Sequence, residues 1–218
     1  MKSILIRTLL ILITTLSFEN HGFTKSIVSW KDTYTSTAPH YQRFVVLGLN
    51  TTENELVRKV ENSIVGLLKN YFNKAISFDS IRNEAYTDQP LSKDVVLSNI
   101  RKVQADAIVT FALISSSSKT RYKTGKYFPS FSFPWYSSFW GYYAHWYPEM
   151  KNNYLNDAGR YFLEINIYES DTQNLVWSGQ SAALSYQDLH QQCTNLVERT
   201  VNQLRRDGII NTERPEED

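Results

Sequence analysis

Apolar positions between residues 44 and 114 switch between two periods. Phe44, Val45, Val46, Leu47, Gly48 and Leu49 form a short apolar run, after which Leu56, Val60, Ile64, Leu67 and Tyr71 recur every three or four residues. The first pattern predicts a strand. The second predicts a helix with one apolar stripe, because Arg58, Lys59, Glu61 and Lys69 fall off that face. Thr52 and Glu55 have capping-box spacing at the helix start, and Asn73 is placed to close it. Ala75, Ile76, Ser77 and Phe78 offer the next strand. A second helix is predicted from Ser92 as cap, with Leu91 stapling to Val96, and Val96, Ile100 and Val103 forming its buried face. The near-continuous apolar run over 107–114 suits a central strand covered on both sides. Helical crossovers of this length predict parallel neighbours.

The period changes again near the C-terminus. Leu163, Ile165 and Ile167 alternate with Phe162, Glu164, Asn166 and Tyr168, the pattern of a half-exposed strand. A turn over 171–174 leads to Leu175, Val176 and Trp177 as its antiparallel hairpin partner. Ser185 with Asp188 starts a last helix through Leu189, Cys193, Leu196, Thr200 and Leu204, and Gly208 with Ile209 predicts a Schellman closure. The order β-α-β-α-β, then β-β-α, predicts a single α/β domain over 26–210. We expect a mixed sheet of about five strands, three main helices and a long insert at 117–157.

That insert is the most unusual segment. It carries Tyr127, Phe128, Phe131, Phe133, Trp135, Tyr136, Phe139, Trp140, Tyr142, Tyr143, Trp146 and Tyr147, punctuated by Pro129, Pro134, Gly141 and Pro148. Its apolar positions read as neither helix nor strand, which predicts a long aromatic loop. Such a loop folds back as a satellite core over the sheet or presents rings to a partner. Trp135, Tyr136, Trp140, Tyr143 and Trp146 are the candidate partner-binding residues.

The chain has 218 residues, 42% of them hydrophobic, enough for one domain with a core. A formal charge of +1 gives no field that would steer it to nucleic acid or an anionic surface. Residues 1–25 read as a secretory signal: Lys2 and Arg7 precede or bracket Leu9, Leu10, Ile11, Leu12 and Ile13, with no defined cleavage site. This apolar run is short of the about 20 residues that span a bilayer. An uncleaved N-terminal anchor is the alternative. Cys193 is the only cysteine, so no internal disulfide forms, and it reads as a small apolar residue on a helix face. Residues 211–218 form an acidic tail.

Trp30-Lys31-Asp32, the 44–49 strand before a helix bearing Arg58, Ala105-Asp106-Ala107-Ile108-Val109, the aromatic insert, Tyr168 through Leu175-Val176-Trp177-Ser178-Gly179, and Arg206-Asp207-Gly208-Ile209-Ile210 go together. In combination they resemble a bacterial family of uncharacterised envelope lipoproteins, whose members look like relatives of the amino-terminal domain of TolB. The resemblance covers nearly everything after Ser26 and implies this fold and an envelope location, but it supplies no catalytic residues. Two departures stand out. The lipid-accepting cysteine of many members is missing, which favours a soluble periplasmic form, and Gln173 occupies a hairpin position where relatives often have glycine, which predicts a different turn type.

The chemistry-bearing residues are sparse. There is no G-x-S-x-G elbow, and His21, His40, His145 and His190 show no metal-ligand spacing. The dispersed glycines make no phosphate loop. No cofactor, metal or nucleic-acid partner is predicted. Glu149, Asp157 and Glu164 flank rings able to stack on sugars, so a glycan-binding module or glycan hydrolase is one alternative, against solvated loop charge. Lys119, Arg121, Lys123 and Lys126 beside the aromatics make peripheral membrane association another. The primary expectation is an exported, non-enzymatic interaction module with a protein partner in the envelope.

Overall fold

The computed structural model describes residues 27–32, 41–49, 55–70, 74–82, 91–115, 134–150 and 159–210. The expected signal, the Thr52 capping box, the Asn73 helix end, the basic run at 119–126 and the acidic tail lie outside them. In chain order the elements are β1 (Val28–Lys31), β2 (Arg43–Gly48), α1 (Glu55–Lys69), β3 (Lys74–Ser77), α2 (Phe78–Ile81), α3 (Lys93–Lys102) and β4 (Ala107–Ser115). There follow α4 (Phe139–Met150), β5 (Arg160–Glu169), β6 (Leu175–Gln180), β7 (Leu184–Ser185) and α5 (Tyr186–Arg206).

The strands form one mixed sheet in the order β1-β6-β5-β4-β2-β3, with β7 pairing β5. β2 runs parallel to β3 and β4, as the helical crossovers require. β4 then pairs antiparallel with β5 along its whole length, from Ala107 opposite Glu169 to Ser115 opposite Tyr161. The fold is therefore a single α/β domain, with seven strands among the described residues instead of about five. Two short strands account for the difference: β1 adds an antiparallel edge to β6, and β7 continues along β5 beside Arg160 and Tyr161. The strand expected at 75–78 stops at Ser77, whose hydroxyl caps the single turn of α2.

Each sheet face has its own core. Val46, Val109, Phe111, Leu163, Ile165 and Ile167 pack beneath α1 and α5. Val45, Leu47, Ile108, Ala112 and Ile114 pack beneath α3 and α4. β4 is buried on both sides, as its apolar run predicts. The helix ends also follow the sequence. Ser92 and Ser185 accept from the backbone N–H groups of Val95 and Asp188. Gly208 sits at φ +67°, with the Ile209 N–H bonded to the Leu204 carbonyl and the Gly208 N–H to the Arg205 carbonyl, the paired bonds of a Schellman closure. The preceding Asp207 ties this end to the sheet, its carboxylate accepting from Trp177 Nε1 at 2.7 Å and Ser29 Oγ at 2.9 Å.

Two expectations are overturned. β5 is not half-exposed: its even-numbered Glu164, Asn166 and Tyr168 are all buried, because α4 covers that face. The aromatic tract is not a loop throughout, since α4 occupies twelve of its residues. Gln173 adopts φ 62°, in the left-handed region that glycine visits freely and other residues enter at the expense of strain.

Candidate functional site

The inner face of α4 is built by helical spacing. Phe139, Tyr142, Tyr143 and Trp146 stand at i, i+3, i+4 and i+7, and all are at most 3% exposed. Their rings interlock with Tyr168 from the sheet: Phe139 and Tyr142 each lie 6.0 Å from it. The helix is entered through a turn at 134–137 that is fastened to the β5–β6 turn by backbone bonds. The Phe139 N–H donates to the Gln173 carbonyl at 2.8 Å, and the Leu175 N–H to the Ser137 carbonyl at 2.9 Å. Ser138 bridges to Asn174 between them. Gly141 makes this entry possible. A Cβ there would stand 2.5 Å from the Trp135 carbonyl oxygen and 2.8 Å from its Cα.

Beneath the rings lies a polar island. Thr110, Asn166 and Ser178 are register partners across β4, β5 and β6, and Glu164 and Gln180 form the adjacent row beside Ala112. All five side chains are buried, Glu164 and Asn166 completely. Buried polar groups without hydrogen bonds each cost on the order of 1–3 kcal/mol, so partners are needed. The aromatic segment supplies them for Glu164, Asn166 and Ser178. Tyr142 Oη donates to Glu164 Oε1 at 2.5 Å, and Tyr136 Oη contacts Asn166 Oδ1 at 3.2 Å and Ser178 Oγ at 3.0 Å. Ser178 Oγ donates to Asn166 Oδ1 at 2.5 Å, and the Asn166 and Gln180 amides reach the Glu164 carboxyl at 3.4 Å. Burial, and then the Glu164 charge, hold the Tyr168 phenol well above its ordinary pKa, with an Asn166 hydrogen bond pulling the other way. Two buried atoms here, Thr110 Oγ1 and Trp146 Nε1, find no hydrogen-bond partner among the described residues.

The five candidate partner-binding residues therefore divide. Tyr136, Tyr143 and Trp146 face the domain interior at 2%, 3% and 3% exposure. Trp135 and Trp140 are half-buried and pack against the same core cluster. Each has a stacked neighbour: Trp135 on His145 at 3.8 Å and 12°, Trp140 on Tyr143 at 5.1 Å and 23°. His145 is thus a packed ring instead of a free polar side chain. Glu164, read as solvated charge or as half of a carboxylate pair, is completely buried under Tyr142. The side chains of Glu149 and Asp157 lie outside the described residues. Sequence reasoning missed Asn166, Ser178 and Gln180 as partners of the tract, although the 139/142/143/146 spacing of α4 was a usable signal.

Among the described residues no group of three or more His, Cys, Asp or Glu side chains is arranged to hold a metal ion. No helix among them is long and apolar enough to cross a membrane. No protein-family profile matches the chain, and a comparison with curated proteins returns no match. Among solved structures, the chain is similar to the PelC dodecamer from Paraburkholderia phytofirmans, with 11% identity over 83% of this chain and 97% of that chain and a TM-score of 0.44. A leucine-to-methionine variant of the same PelC dodecamer in a second crystal form is similar at 11% identity, over 81% of this chain and 95% of that one, with a TM-score of 0.42. Similarity at this level assigns no function to the chain.

Proposed function

We propose that this protein is an exported, non-enzymatic interaction module of the bacterial envelope, periplasmic in location, that offers the outer side of its aromatic segment to a protein partner. The observation that supports this reading is the division of the rings. The inner rings are consumed by the core, whereas Trp135 and Trp140 stay half-buried and are held by stacking on His145 and Tyr143. Indoles fixed in this way lose little side-chain freedom on binding, and tryptophan is over-represented among residues that dominate interface energetics. The N-terminal sequence of signal type and the family resemblance support export and the envelope.

The test is crosslinking and affinity purification from envelope fractions, comparing the intact protein with a Trp135→Ala, Trp140→Ala variant whose unfolding stays cooperative. The expected result is a protein partner recovered with the intact chain and lost with the variant. Recovery of the same partner by the variant would remove these indoles from the contact. Enrichment of glycan or lipid without a protein would replace this reading with the glycan-binding or membrane-surface alternative.

A further inference from the structure

Ring-to-ring packing alone is a poor ruler. Aromatic pairs are favourable over centroid distances of roughly 4.5–7 Å and over many tilts, so a helix lined with rings can settle on an apolar face in several registers. The contacts within this segment show that latitude: Tyr136–Tyr142 is edge-on at 85°, Phe139–Tyr143 is tilted at 44° and Trp140–Tyr143 is nearly parallel at 23°. Hydrogen bonds are narrower in distance and direction. The face under α4 carries five polar side chains where the opposite face of β5 carries Leu163, Ile165 and Ile167. Burying such groups is stability-neutral at best compared with apolar residues of similar volume, so stability does not account for them.

Their geometry does. Tyr136, ahead of the helix, bonds to the Asn166–Ser178 row, and Tyr142, on the helix, bonds to the Glu164 row. Two hydroxyls fastened to two different rows fix both the translation and the rotation of the segment on the sheet. Phe139, which needs no such partner, lies instead against Tyr168 in the neighbouring row of Ile108, Tyr168 and Leu175. We infer that Glu164, Asn166 and Ser178, acting through Tyr136 and Tyr142, are positioning residues that set the register of the aromatic helix and thereby the orientation of the Trp135 and Trp140 indoles. The link to partner binding rests on the function proposed above; the register claim itself does not.

The test reads indole environments without any partner, so its failure is distinct from failure of the binding proposal. It uses the full chain, urea unfolding and an indole N–H NMR spectrum assigned by single tryptophan replacements. Tyr142→Phe leaves the buried Glu164 carboxyl short of a donor, and the folding equilibrium constant is expected to fall about 5- to 150-fold. Glu164→Gln keeps an acceptor for Tyr142 and should retain one set of Trp135 and Trp140 resonances. Tyr142→Phe combined with Glu164→Leu removes the tie but also takes the acceptor from the Asn166 and Gln180 amides, so it should stay destabilised, and it should show split or broadened Trp135 and Trp140 resonances while Trp177, on the other face, is unchanged. A folded double variant with the original single set would overturn the inference. If the double variant does not fold, Tyr136→Phe decides, because Ser178 still satisfies Asn166: shifted Trp135 and Trp140 resonances are expected, and unshifted ones would refute the positioning role.

Discussion

Replacing Gly141 by alanine sets two effects of opposite sign against each other. In a helix interior, glycine to alanine normally stabilises by about 1 kcal/mol, through the backbone entropy that glycine loses on folding. Gly66 of α1 should follow that rule, since a Cβ there meets nothing within 4 Å. At Gly141 the new Cβ would meet the Trp135 carbonyl oxygen at 2.5 Å, the Trp135 Cα at 2.8 Å and Ser138 Oγ at 2.9 Å. Two of these are backbone atoms and cannot rotate away. The 134–137 turn is also pinned to the β5–β6 turn and carries the buried Tyr136, so relief requires the helix to move by most of an ångström or the turn to lift. Overpacking of this kind costs about 1–3 kcal/mol, enough to cancel the propensity gain of about 1 kcal/mol and leave a net loss of up to about 2 kcal/mol. Urea unfolding of Gly66→Ala and Gly141→Ala at a shared m-value should therefore move the midpoint up in the first and down in the second. Equal stabilisation by both substitutions would refute the close approach of helix and turn.

Two further predictions concern strain and charge. Gln173 holds φ 62°, so Gln173→Gly should be neutral or mildly stabilising, whereas Gln173→Val, β-branched in the left-handed region, should cost about 1–2 kcal/mol; equal midpoints in urea for the two variants would contradict the turn geometry. Glu61 is almost fully buried beside the Ser77 hydroxyl, and burial chiefly, with Asp79 adding and Ser77 and Arg82 opposing, raises its pKa from 4.5 to about 6. The folded state then holds this proton more tightly than the unfolded state, so the contribution is present below pH 4.5 and is lost as pH rises through about 6. At 1.36 kcal/mol per pH unit the loss approaches about 2 kcal/mol. The stability of Glu61→Gln relative to the parent should rise across that window and level off above it; a flat difference from pH 4 to 7 would exclude the buried carboxyl as its source.

What was legible in the sequence was whatever a segment decides locally. The caps at Ser92 and Ser185, the Gly208–Ile209 closure and the both-faces burial of β4 each follow from residues within a few positions of one another. The aromatic segment and β5 failed together, for one reason. Gly141 and Pro148 looked like punctuation, which hid the 139/142/143/146 spacing, yet Gly141 is there to admit the Trp135 backbone, a contact invisible in any helical period. The Glu164 and Asn166 alternation looked like a solvent face because nothing nearby in sequence could cover it. The cover comes from Tyr136 and Tyr142, more than twenty residues earlier.

The two misread patterns are complementary. A strand whose second face is polar can be buried without water only if the covering surface brings donors as well as rings, and tyrosine is the residue that supplies both. The choice of ring along the segment follows that requirement: tyrosine at 136 and 142 over the Asn166 and Glu164 rows, phenylalanine at 139 against Tyr168. A tyrosine-rich tract beside a strand of alternating polarity is therefore better read as one buried unit than as a loop and a solvated edge. On that reading the part of the tract proposed for partner binding shrinks from five rings to Trp135 and Trp140, the two that stay half-buried.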